Sequence, residues 1–339
     1  MKAVGVYRYL PTDNPESLVD VELPRPTPSG RDLLVSVRAI AVNPVDFKVR
    51  SRIDKPLSAP RILGWDAAGV VEEVGADCSL FRPGDKVYYA GDITRPGCNS
   101  EFHLVDERIV GRMPATLGFA EAAALPLTTL TAWEALFDRL KVSVDGRGSG
   151  RTLLLIAGAG GVGSIAIQLA KRIAGLTVVA TASRAASRDW CLELGADHVV
   201  DHSQPLPPQL QDIGFPQPDL ILCAANTDEH FAAMAECIRP QGSICGIVGP
   251  RGPLDLGRLM GKSVTFVWEL MFTRAQFQTP DMIEQHRILN RAAELIDAGT
   301  LKTTLGDNLG QISAQNVRTA HARLEAGHTL GKLVLEGFG

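Results

Sequence analysis

"LLLIAGAGGVGSIAIQLA", residues 153–170, decides the fold. An unbroken apolar run passes through four glycines into a segment with helical spacing. Gly158, Gly160 and Gly163 stand in G-x-G-x-x-G order, after an apolar strand and at the opening of a helix, which is the context that makes this spacing informative. Each glycine has its own reason. Gly158 permits a tight turn, Gly160 lets the backbone approach a pyrophosphate, and Gly163 lets the helix pack closely on the strand. The backbone of Gly158, Ala159, Gly160, Gly161, Val162 and Gly163 then presents N–H groups, at the positive end of a helix dipole, to two phosphates. The bland alternative is a glycine-rich strand–helix turn that holds no ligand.

The end of the next strand selects the dinucleotide. Sites for NAD place Asp or Glu about 20 residues on, to accept from the ribose 2′-hydroxyl. Here that position falls near Ala182 in "VVATASRAASR", and no acid is present; Ser183 and Arg184 follow, then Arg188. A carboxylate would repel a 2′-phosphate, whereas a hydroxyl and a guanidinium would hold it. The sequence therefore predicts NADP(H) over NAD(H), against the plainer alternative that Arg184 is a solvated surface charge.

Outward from this stretch, strands alternate with helical segments. A helix over 161–175 ends at Gly175, "TVVATAS" (177–183) is a strand, 187–197 is a helix ended by Gly195, and "HVVDH" (198–202) is a short strand. "PDLILCAA" (218–225), a helix over 228–238, "GSICGIVG" (242–249) and "SVTFVWE" (263–269) complete the run. This predicts an α/β, doubly wound parallel sheet. "TLTAWEALFDRL" before it has helical spacing, with Leu130, Trp133, Leu136, Phe137 and Leu140 on one stripe. The first third differs: short runs such as "LLVSVRAIAV" (33–42), "AAGVVEEVG" and "DKVYYA" are broken by Gly and Pro and read as β-rich. Two helices, 285–299 and 314–326, and a strand "GKLVLEG" close the chain.

At 339 residues, two domains are the default. With 45% hydrophobic and 21% charged residues, a net charge of −4 and no basic block, the chain is predicted to have neither nucleic acid nor an anionic membrane as partner. No apolar run approaches the ~20 residues of a spanning helix, and no signal peptide is evident, so a cytoplasmic location is expected. The six cysteines form no C-x-x-C pair; Cys223 and Cys245 are expected to be buried thiols.

The linked order "GWDAAGVVEEVG" (64–75), "PGDKVYY", "LPLTTLTAWEAL", "AGAGGVGSIAIQLAK" and "ELGADHVVD" resembles the medium-chain dehydrogenase/reductase superfamily over essentially the whole chain. It looks closest to the zinc-free quinone oxidoreductase, zeta-crystallin-like branch, and is similar to bacterial proteins called zinc-type alcohol dehydrogenase-like. The resemblance implies a GroES-like β-rich catalytic domain over 1–127, a Rossmann NADP(H)-binding domain over 128–269, a return to the first domain over 270–339, and an active site between the two. Zinc members use Cys, His and a later Cys as catalytic ligands. At those positions this chain carries Asn43, then Trp65 with its neighbour Asp66, then Leu127. Amide, indole and isobutyl groups do not hold zinc in this way, so no metal is expected; a site built on His103 and scattered Asp residues is the alternative.

A centre without a Lewis acid suits substrates that accept hydride unaided, and the resemblance points to NADPH-dependent reduction of quinones or α,β-unsaturated carbonyls. "NPVDFKVR" (43–50) is expected to line the reacting end. Asn43 can donate an amide N–H to a carbonyl or a ribose hydroxyl. Asp46 can anchor a neighbour or exchange protons through water, or simply cap a turn. Thr131 corresponds to a family threonine near the nicotinamide, or is the N-cap of the helix after it. Trp65 is either a plug where a metal would sit or a wall for a planar quinone. By the same resemblance His202 lies by the adenosine phosphate, Gly246, Ile247 and Val248 meet the carboxamide, and Lys332 returns near the cofactor. Trp268, Met271 and Phe272 belong to the pocket wall or a dimer edge. A homodimer is expected, because the apolar strand 263–269 ends the sheet and would be left unpaired. Two alternatives stay open: an enoyl-thioester or aldehyde reductase on the same scaffold, and a non-catalytic NADPH-binding redox sensor.

Overall fold

A computed structural model describes residues 1–146 and 150–339. The chain divides into two compact units, Met1–Leu130 with Phe272–Gly339, and Thr131–Met271.

The first unit is built on a seven-stranded sheet. Its central strand, Asp32–Val42, is flanked along its length by Ala67–Val74, while on its other side its first half pairs with Phe102–Asp106 and its second half with Lys332–Glu336. Each of these pairings is antiparallel. Leu33, Leu34, Val35, Val37, Ala39, Ile40, Ala41 and Val42 are all buried, so the strand is covered on both faces. That explains why its polar positions recur so loosely. Lys86–Tyr89, Val110–Arg112 and Leu305–Asn308 extend the sheet. A smaller sheet orders Val19–Glu22, Lys2–Val6 and Arg61–Ile62.

The second unit carries six parallel strands in the spatial order His198–Val200, Thr177–Thr181, Thr152–Ile156, Leu220–Cys223, Ser243–Gly246, Thr265–Trp268. In chain order that is third, second, first, fourth, fifth, sixth, the doubly wound Rossmann arrangement. Leu154, Ile156, Val179, Ile221, Phe231, Met234 and Ile244 form one buried cluster on this sheet. The order reverses beside Thr152–Ile156, and ligands of such sheets bind where it does, beyond the carboxyl ends of the strands.

Three local expectations need correction. The helix expected over 161–175 spans Gly161–Arg172, and Gly175 lies beyond it at φ 69°. The stripe from Leu130 to Leu140 is a short α-helix, Pro126–Trp133, that widens into a π-helix, Glu134–Arg139. The segment "NPVDFKVR" contains a helix, Pro44–Arg50, where no helix was expected. Proline at its first position is compatible with helix because the missing N–H would have had no partner there.

Candidate functional site

Three strand ends meet in the first unit. The antiparallel pairings set the carboxyl end of Asp32–Val42 beside the amino ends of its two neighbours, with Val42 opposite Leu333 and Ile40 opposite Ala67. Asn43, Asp66 and Lys332, one residue beyond or at these ends, therefore converge. Asn43 is held extended by the proline after it, at φ −125° and ψ 156°. All three side chains are buried.

The Lys332 ammonium donates to Asp66 Oδ2 at 2.8 Å, to Val42 O at 3.2 Å and to Asn43 Oδ1. Its three hydrogens are thereby used. Asn43 Nδ2 donates to Asp66 Oδ2 at 2.8 Å, and the Leu127 N–H donates to Asp66 Oδ1 at 2.8 Å. Every one of these partners of Asp66 is a donor, as an ionised carboxylate requires. Burial pushes the Asp66 carboxyl above its ordinary range, while Lys332, Asn43 and the Leu127 N–H pull it back.

Asp46 sits at the third helical position and accepts the Asn43 backbone N–H on Oδ2 at 2.8 Å, the reciprocal half of a capping box. Its Oδ1 is buried without a partner. Burial is the main reason its pKa rises to about 7 from the ordinary 3.8; Asp66 adds to the rise, while the Asn43 N–H and Lys332 oppose it. Trp65 is buried, with Nε1 donating to Asp92 O at 3.2 Å and its ring edge-on to Phe272 at 6.3 Å. His103, the alternative metal residue, has Nδ1 3.1 Å from Tyr89 Oη and Nε2 2.9 Å from Pro96 O; burial lowers its pKa to about 4.

These residues do not fit a catalytic zinc. The donors around the convergence point are oxygens, and a side-chain ammonium stands among them, where zinc sites carry Cys, His and carboxylate ligands. Among the described residues, no group of three or more His, Cys, Asp or Glu is arranged to hold a metal ion.

In the second unit the glycine turn follows Thr152–Ile156 directly. A Cβ on Gly163 would lie 2.4 Å from Gly158 O and 2.5 Å from Ala157 O, and one on Gly158 would lie 2.8 Å from Ala180 Cβ. Close packing within the chain accounts for both. Gly160 is different. Its φ of −74° and ψ of 175° suit any residue, and a Cβ there would meet nothing nearer than Ala157 O at 3.6 Å. Nothing in the chain itself requires glycine at 160, whereas a phosphate against the helix N-terminus would.

Around this turn, the Gly158 N–H donates to Thr181 O, and the Ala157 N–H donates to Thr181 Oγ1, both at 3.0 Å. Thr181 Oγ1 lies 3.1 Å from His202 Nδ1, which pins His202 beside the turn, and His202 faces His230 edge-on at 6.0 Å. Ser183 and Arg184 are exposed past the end of Thr177–Thr181, with Arg184 opening the helix Ala185–Leu194. Gly246, Ile247 and Val248 leave Ser243–Gly246, two strands from Thr152–Ile156, at the same edge of the sheet; the Ile247 N–H donates to Cys223 O at 3.2 Å, and Val248 O accepts from Thr227 Oγ1 at 2.7 Å. These residues suit a dinucleotide. Thr131 is buried inside Pro126–Trp133, so it is not the N-cap of a later helix.

The structure thus gathers Asn43, Asp46, Trp65 and Lys332 in one unit, and the glycine turn, His202 and the 246–248 edge in the other. Lys332 stands with Asp66 and Asn43 in the first unit. Thr181, His230 and Thr227 were not singled out by the sequence; their hydroxyl and imidazole groups fall after apolar strands, the one signal that pointed to them. A cavity of about 640 Å³ between Leu23, Pro60 and Phe102 is lined by His103 but by none of the residues expected at the catalytic or cofactor site.

Comparison with known proteins follows the same division. Residues 29–134 match the family model "Alcohol dehydrogenase GroES-like domain", and residues 161–285 match "Zinc-binding dehydrogenase". A zinc-type alcohol dehydrogenase-like protein of Staphylococcus aureus is 43% identical, with 99% of each chain covered. A crystal structure from Rhizobium etli, described as a zinc-dependent alcohol dehydrogenase protein, superposes with a TM-score of 0.95 at 51% identity, covering 100% of this chain and 98% of that one. The Escherichia coli quinone oxidoreductase complexed with NADPH superposes with a TM-score of 0.83 at 25% identity, covering 99% and 100%.

Three variants test this geometry. Gly160→Ala should leave the thermal midpoint within ~2 °C of wild type while weakening NADPH binding at least ~10-fold in calorimetry, because only a ligand needs the space. Gly163→Ala should instead lower the midpoint, since backbone atoms cannot yield to its Cβ. For Asp46, the unfolded chain releases its proton near 3.8 and the folded chain keeps it to about 7. Folding therefore takes up a proton between these values, and the stability this group contributes is full below the lower one and lost as pH rises through the upper. Asp46→Asn should show a midpoint advantage over wild type that grows between about pH 4 and about pH 7 and then levels off; a constant difference would contradict it.

Proposed function

The chain belongs to the medium-chain dehydrogenase/reductase superfamily of oxidoreductases, and from that footing we propose that it is an NADPH-dependent reductase of quinones or α,β-unsaturated carbonyls. The observation that carries the nucleotide half is Gly160, a glycine with no reason inside the chain. The Gly158–Gly163 turn would hold the pyrophosphate. Ser183 and Arg184, with no acid before Asp189, would take the 2′-phosphate, His202 would lie by the adenosine, and the 246–248 backbone would meet the carboxamide. Bound there, the reduced nucleotide supplies a hydride. The likeness to a quinone oxidoreductase complexed with NADPH supports both halves.

The other roles are assigned to this chain's own groups. Asp46 is the acid we assign to proton supply, because it keeps its proton to about pH 7 and has an oxygen that no neighbour uses. Asn43 and Trp65 have their polar atoms engaged within the unit, so they shape the site and set its dryness. Thr131 is assigned to the nicotinamide. Substrates with a conjugated acceptor are favoured because they spread the incoming charge onto an oxygen themselves, and no open Lewis-acid position is offered by the Asp66–Asn43–Lys332 cluster.

Arg184→Ala should reduce the NADPH-over-NADH preference in kcat/KM by at least ~10-fold; an unchanged ratio would refute the 2′-phosphate assignment. NADPH consumption should appear with quinones or alkenals. Turnover confined to aldehydes or enoyl thioesters would move the reading to that chemistry, and tight binding without turnover would make the protein a sensor.

We also propose a homodimer. Among the described residues, Thr265–Trp268 has a strand neighbour on one side only, and Trp268 and Leu270 are 45% and 52% exposed beside it. Pairing two such edges would cover them. Light scattering should give about twice 36.3 kDa at micromolar concentration; a monomer mass would exclude it.

A further inference from the structure

We propose that the ammonium of Lys332 is the resident cation of the first unit, filling from within the chain the place that zinc-dependent relatives give to a metal. Four groups from three separate segments meet Lys332 or its counter-charge at this point. Val42 contributes a carbonyl, Asn43 an amide oxygen and Asp66 a carboxylate oxygen, and all three accept from the one Nζ. Leu127, the residue at the third ligand position, contributes its backbone N–H to the other oxygen of Asp66. The positions that would ligate a metal are therefore committed: Asn43, Asp66 and Leu127 to Lys332 or to the carboxylate that neutralises it, and the Trp65 indole to Asp92 O.

The arrangement also fixes the amide. With Oδ1 accepting from Lys332, Asn43 can only turn Nδ2 toward Asp66, where the structure finds it at 2.8 Å. The cation thus orients Asn43, and the Asn43 N–H in turn holds Asp46. Lys332 is a positioning residue. It joins the last strand of the chain to the start of helix Pro44–Arg50, and its three hydrogens go to groups of the chain. The donor set is all oxygen, so a vacancy left by Lys332 would select a small alkylammonium ion rather than zinc, which prefers nitrogen and sulfur.

The test uses the full-length protein. Lys332→Ala retains Cβ and removes three carbons and the ammonium, which is the shape of n-propylammonium. The variant should melt below wild type and recover at least ~3 °C in millimolar n-propylamine, with no gain from n-propanol and no gain for wild type with either. Should Lys332→Ala not fold, Lys332→Met answers the same question: adding Asp66→Asn should raise its midpoint, because an unpaired buried carboxylate is removed. Wild type incubated with zinc and desalted should retain no zinc that depends on Asp66. The proposal is overturned by an amine response equal to that of n-propanol, by a double variant no more stable than Lys332→Met, or by one zinc per wild-type chain that is lost on Asp66→Asn. None of these readouts involves the glycine turn, so their failure leaves the nucleotide assignment standing, and NADPH titration of the same variants separates the two.

Discussion

Asp66 is a charge that the first unit must neutralise. It is fully buried at the head of a strand, where an unpaired carboxylate would cost several kcal/mol. The chain answers with one ammonium and two neutral N–H donors, drawn from residues as distant in sequence as Asn43, Leu127 and Lys332. Such a pair adds little stability over a well-packed apolar substitute. Removing one partner is another matter, at roughly 3–5 kcal/mol. What the pair secures is register. A slip by one residue between Asp32–Val42 and either neighbour would send Lys332 or Asp66 to the opposite face, away from its partner. The same contacts then orient Asn43, and through it the first turn of the helix that carries Asp46.

The second unit works on the reverse principle. The inner strands of its sheet are buried and mostly apolar, and Thr181, His202, Thr227 and the glycine turn gather at the carboxyl edge. The two glycines that the fold needs, Gly158 and Gly163, face backbone and core. The third, Gly160, would bring a Cβ only into ordinary contact with Ala157 O, at 3.6 Å. One short motif thus separates packing demands from ligand demands, and the separation can be read from where a Cβ would go.

Much of this was legible in the sequence because the deciding signals are local. The parallel sheet followed from apolar runs and glycine stops, and its helix ends missed by a few residues where Ile173, not Gly175, ends the helix. The first unit's helix Pro44–Arg50 was hidden because seven residues with a single buried stripe show no clear period. The π-helix after Trp133 was hidden because its extra residue per turn breaks the spacing that periodicity tests for. The partner of Lys332 was beyond local reach altogether. Asp66 and Lys332 are far apart in the chain and are joined only by strand pairing. Yet each carried a sign: a charge set among apolar residues, in "LGWDAAGVV" and "GKLVLEG", implies a buried opposite charge somewhere.

That sign bears on how the family's name should be understood for this chain. A metal and an ammonium are interchangeable as counter-charges for a buried carboxylate, since both satisfy its oxygens from a compact positive centre. They are not interchangeable as catalysts. A metal keeps an open coordination position for substrate, whereas the three hydrogens of Lys332 are all directed at groups of the chain itself. A scaffold can therefore keep its strand ends, its carboxylate and its register while it exchanges the cation. On the function proposed above, chemistry then depends on what the substrate does for itself and on Asp46, whose partner Asn43 the same network orients. Sequence similarity over the whole chain reports the scaffold. The residue at position 332 and its three acceptors report the cation.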